Sequence, residues 1–135
     1  MKHVLLALVV VASFAREAQA QQGAAVEIEG VINQQMEAFQ GDDFTRAFGF
    51  AADNIKRMFR TPENFGEMVK RGYPMVHRPG DVRFGDLRQE GDALWQRVLV
   101  RDIGGALYVL DYLMVPTEAG WRIAAVQMIG AEESA

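Results

Sequence analysis

Chemistry in this chain has to come from a short set of polar side chains, because the usual nucleophiles are missing. The serines are Ser13 and Ser134, one near each end, and there is no cysteine. A serine or thiol nucleophile in the folded body is thereby excluded. His77 is the one histidine outside the first twenty residues, and no His-x-x-x-His spacing occurs. No metal site and no cofactor are expected, since zinc or iron would depend almost wholly on carboxylates. Gly104-Gly105 lies between strand patterns, not ahead of a helix, so it is no phosphate loop. What remains is acid–base work or binding. Asp111 is the catalytic candidate, and Gln96, Tyr73 and His77 are candidates for holding a ligand.

Four runs of two-residue alternation must position these groups: 82–89, 94–102, 107–115 and 121–129, separated by Gly91-Asp92, Gly104-Gly105 and the turn 117–120. A symmetric turn at Gly104-Gly105 sets Val98 opposite Asp111 and Gln96 opposite Leu113 on one aliphatic face. An aspartate among Val98, Val109 and Leu113 loses hydration, which favours its neutral form and poises it as a base or donor. The plainer alternative is a paired or wet structural residue, and an odd-length turn would move Asp111 to the other face. The same register gives the opposite face an apolar patch of Phe84, Trp95, Leu99, Leu110 and Met114. There Asp86, Arg97 and Tyr112 form a cross-strand row. Such a patch is seldom left to water, so self-association through this sheet face is expected. In the last run, parity breaks near Ala124-Ala125, which predicts a bulge.

The first half is helical. Ile28, Val31, Ile32, Met36 and Phe39 fall on one face of a helix over 26–40, and Gly41 ends it. Asp42 or Asp43 can cap a second helix through Phe44, Ala47, Phe48 and Ala51, and Asp53 a third short one. Thr61 and Pro62 supply the cap and first residue of a fourth, which Gly72 stops. Between the halves, GYPMVHRPGD carries Pro74 and Pro79 and reads first as a hinge. Tyr73, Met75 and Val76 would plug the wide end of the helical layer while His77 and Arg78 face water. Helices followed by an antiparallel meander define an α+β fold, with helices on one face of a curved sheet of about four strands.

Lys2, the apolar run 4–12 and Ala18-Gln19-Ala20 follow the plan of a secretory signal peptide cleaved after Ala20. The expected organisation is signal peptide 1–20, a flexible 21–25, a single domain over 26–130 and a frayed tail 131–135. Losing Lys2, Arg16 and Glu17 takes the formal charge from −4 to −5. An acidic chain without a basic run makes nucleic acid a poor partner, and no membrane partner is expected after cleavage. The periplasm or the exterior is the expected location.

The segment IEGVINQQMEAFQGDDFTRAFGFAADNIKRMFRTPENFGEMVKRGYPMV, with DVRFGDLR, RVLVRD and GWRIAAVQM after it, resembles the bacterial family called domain of unknown function 4864. TPENFG and GYPM are the most specific parts. That family is similar to the nuclear-transport-factor-2-like superfamily, which implies a helix-lined cone closed by a curved sheet. The superfamily includes isomerases and dehydratases that use a carboxyl group at the cone, as well as binding modules and adaptors. It also implies homodimers formed through the sheet face. The fold alone selects no activity. A secreted binding module for a small apolar ligand or a protein is the expected function. An isomerase or dehydratase using Asp111 and a homodimeric scaffold are the alternatives.

Overall fold

The computed structural model describes residues 2–132, with side chains from 15 to 131. Five helices precede four strands: α1 (Lys2–Gln40), α2 (Phe44–Gly49), α3 (Asp53–Phe59), α4 (Pro62–Gly72), α5 (Pro74–His77), then β1 (Pro79–Glu90), β2 (Ala93–Asp102), β3 (Leu107–Thr117) and β4 (Gly120–Glu132). The strands form one antiparallel sheet in the order β1-β2-β3-β4. The α+β arrangement is therefore the one the periodicity predicts. Residues 21–25, expected to be loose, continue α1, and Gln21 Nε2 donates to the Leu87 carbonyl. The end of the expected frayed tail, 133–135, lies outside the described residues. Among the described residues no helix is long and apolar enough to cross a membrane.

The core lies between the helices and one sheet face. Ile28, Ile32, Met36 and Phe39 of α1 are buried against Val98, Val100, Leu110 and Met114 of the central strands. Asp43 caps α2, its side chain accepting from Arg46 N at 3.1 Å. Thr61 caps α4 in the same way through Asn64 N, with Pro62 following at the first turn. Each cap satisfies an end amide that the helix itself leaves free.

Strand register decides which side chains share a face, and it differs from the symmetric expectation at two places. The β2–β3 turn is closed by Asp102 and Ala106, with Asp102 N donating to Ala106 O and Ala106 N to Asp102 Oδ1. Its loop is therefore Ile103-Gly104-Gly105, and Gly105 takes φ 91°, the positive value a three-residue hairpin needs at its last position. An odd loop shifts the pairing by one: Arg97 faces Asp111, Val98 faces Leu110, and Gln96 faces Tyr112. On the other side, Gly91-Asp92 forms the expected two-residue turn. A bulge at Gly85-Asp86 then moves Phe84 opposite Val98. The expected row of Asp86, Arg97 and Tyr112 is accordingly broken.

These shifts correct the expected apolar patch. Phe84, Leu110 and Met114 belong to the helix side, where Leu110 and Met114 are fully buried. Trp95 and Leu99 remain on the outer face, half-buried beside Val109 and Leu113. The predicted bulge in the last strand is present, since Leu113 pairs with Ala125 and Met114 with Ile123.

Candidate functional site

A cavity of about 430 Å³ opens between α3, α4, the start of α5 and the inner face of β3 and β4. Its wall is mostly hydrocarbon and aromatic: Phe39 from α1, Ile55 and Phe59 from α3, Phe65 and Met68 from α4, with Ile123 and Val126 from β4. Phe65 anchors the aromatic side, with ring centroids 5.8 Å from Phe39, 5.2 Å from Phe48 and 5.8 Å from Phe59. The small side chains of Ala51, Ala124 and Ala125 leave the space that larger residues would fill.

Local sequence explains why this wall stays open. After α2, residue 51 pairs in parallel with Ile123, through Ile123 N to Phe50 O at 2.9 Å and Ala52 N to Ile123 O at 2.8 Å. Asn54 Nδ2 then donates to Ala124 O at 2.9 Å, so α3 is tied to the bulge in β4. In the TPENFG segment, Asn64 Nδ2 also reaches back to Phe59 O, fixing the corner from which Phe65 enters the core. Gly66 lets α4 pass close to Phe44, because a Cβ there would sit 2.7 Å from that ring. In GYPM, Tyr73 donates from Oη to Val126 O at 3.1 Å and so bridges the helical layer to the edge strand. Both distinctive segments thus frame the cavity.

Four polar side chains line it: Gln35, Asn54, Tyr73 and Tyr112. The amide of Gln35 donates to Ala47 O at 3.1 Å. Tyr112 differs from the other three. It is 1% exposed, and its hydroxyl has no hydrogen-bond partner among the described residues. Burial pushes this phenol well above the ordinary tyrosine range, with a smaller contribution from Tyr73, so it stays protonated.

Of the four candidate site residues, Tyr73 lines the cavity, and Gln96, His77 and Asp111 do not. Gln96 is buried on the helix side but is occupied elsewhere, donating from Nε2 to Gly85 O at 3.0 Å and to Arg97 O at 2.9 Å. It holds the β1 bulge. His77, expected to face water, is drawn in beside Phe44 and has Nε2 2.8 Å from Asp42 Oδ1. Arg78 completes the cluster with both oxygens of Asp42 at 3.2 Å. Hydrogen bonds from His77 and then Arg78 hold the Asp42 carboxyl below its ordinary value.

Asp111 needs the larger correction. The one-residue shift turns its side chain away from the helices, so it does not reach the cavity. Its carboxylate is 5% exposed nonetheless, because Arg88 and Arg97 close over it. Gly85 leaves room for that cover, with the Arg97 stem 3.2 Å from where a Cβ would stand. A carboxylate so paired is a structural ion cluster within the outer sheet face. Among the described residues no group of three or more His, Cys, Asp or Glu could hold a metal ion.

Sequence reasoning missed Tyr112, Gln35 and Asn54. Gln35 was legible, since it falls three residues after Ile32 and four before Phe39 on the apolar face of α1. Tyr112 was hidden by the assumed even turn.

Fold and site together define a small α+β domain whose helices and sheet enclose an apolar cavity with one unpartnered phenol. The chain belongs to the family described as domain of unknown function (DUF4864), whose model matches residues 20–135. No curated protein matches it.

Proposed function

We propose that this protein is an exported, non-catalytic binding module that holds a small apolar ligand between α3, α4 and the inner face of β4. The observation that carries the reading is the cavity, about 430 Å³ and walled by Phe39, Ile55, Phe59, Phe65 and Val126. Small-ligand sites run from roughly 300 to 1,000 Å³ and are mostly apolar with few placed polar groups. The lining carries no carboxylate and no imidazole, and Asp111 faces the other way. An acid–base enzyme built on Asp111 therefore loses its support. Export is supported by Lys2, the apolar run 4–12 and the Ala18-Gln19-Ala20 triplet. A protein recovered outside the cytoplasm with Gln21 at its N-terminus would establish it.

The binding test is titration with a neutral fluorescent naphthylamine probe. Wild type should bind it, and Met68→Trp, which fills the cavity from α4, should not. Equal signal from both proteins would sink the reading.

A second reading is self-association through the outer sheet face. Trp95, Leu99, Val109 and Leu113 are half-buried there, while the helices pack on the opposite side. Sedimentation velocity should show concentration-dependent dimers that Leu99→Glu removes. A monomer at all concentrations would discard it.

A further inference from the structure

The polar atoms around the cavity are unequally occupied, and their balance specifies what a ligand must bring. Tyr73 Oη donates to Val126 O, Asn54 Nδ2 to Ala124 O, and Gln35 Nε2 to Ala47 O. Each of these three side chains thus has a partner in the backbone. Tyr112 keeps a proton with nothing to receive it. A buried donor without an acceptor is costly, so an acceptor delivered to it is worth more than the same contact made in water.

Resting on the reading of the cavity as a ligand site, we propose that the ligand is an apolar molecule carrying a neutral carbonyl oxygen that accepts a hydrogen bond from Tyr112 Oη. Ketones, aldehydes, esters and quinones share that chemistry. A carboxylate is disfavoured, because no lysine, arginine or histidine lines the cavity and its charge would be buried unpaired. A carbonyl brings an acceptor and no proton. The phenol's raised pKa keeps the donor in place across the physiological range.

The experiment is displacement of the naphthylamine probe by 2-nonanone and 1-nonene, compared between wild type and Tyr112→Phe. The ketone should displace the probe about tenfold better than the alkene from wild type. That advantage should disappear in Tyr112→Phe, while alkene displacement stays unchanged. The infrared carbonyl stretch of the bound ketone should also fall in frequency in wild type and not in the variant. Equal displacement by ketone and alkene in wild type, or a ketone preference that survives Tyr112→Phe, overturns the carbonyl inference and leaves the cavity reading standing. A probe that fails to bind wild type overturns both.

Discussion

Arg97 stands directly across the β2–β3 pair from Asp111, its Nε 3.5 Å from the carboxylate, while Arg88 reaches the other carboxylate oxygen from β1. An aspartate that looks like a buried base along the sequence is in fact the centre of a three-strand ion cluster. Removing its charge leaves two guanidinium groups without their shared partner. Asp111→Asn should lower stability by about 1–3 kcal/mol, less than a fully buried pair because both arginines reach solvent. Urea denaturation measures this. The same variant should bind the naphthylamine probe as wild type does, and loss of binding without loss of stability would return Asp111 to the cavity.

The Asp42 cluster predicts an acid limb. With the folded carboxyl lowered by His77 and Arg78, its contribution is fully present above the ordinary carboxylate value and fades as pH falls through the lowered one. Asp42→Asn should therefore have a lower urea midpoint than wild type at about pH 5, and the gap should close toward about pH 2. Asparagine keeps the backbone comparison fair, since Asp42 has φ 54° and asparagine accepts that region. A gap independent of pH would mean that shape, not charge, matters there.

Arg60 joins α3 to α4 in a tight turn with φ 70°, and Thr61 N donates to Phe59 O across it at 2.8 Å. This is the strained form of a three-residue turn for any residue with a Cβ. Arg60→Gly should raise stability by about 0.5–1 kcal/mol after the entropy of a freer unfolded chain is set against the relief. Calorimetry checks the sign.

Gly66 touches the Phe44 ring with no atom to spare. Gly66→Ala should cost about 1–3 kcal/mol by forcing α4 away from α2. It should also weaken probe binding, because Phe65 and Met68 ride on the same helix and line the cavity. Unchanged stability would show that Phe44 swings aside.

Local signals in the sequence were enough to place the elements. Thr61 and Pro62 mark the start of α4, the spacing from Ile28 to Phe39 marks the buried face of α1, and Ala124-Ala125 marks the bulge of β4. Each depends on neighbours a few residues apart. The site was harder to read because faces depend on parity, and parity is inherited from turns. Gly104-Gly105 suggests a two-residue loop, yet the bonds made by Asp102 recruit Ile103 into it. That one-residue offset changes the face of Leu110, Asp111, Tyr112 and Met114 together. Gly85-Asp86 did the same to Phe84 through a bulge that no local pattern announced.

The three-residue loop of the β2–β3 hairpin has an evolutionary side. Deleting one residue from Ile103-Gly104-Gly105 would exchange the two faces of β3, carrying Asp111 toward the cavity and Tyr112 out of it. One lost codon therefore separates a wall that offers a neutral donor from a wall that offers a carboxylate. In this scaffold, the length of one hairpin loop sets which side chains of β3 meet the cavity.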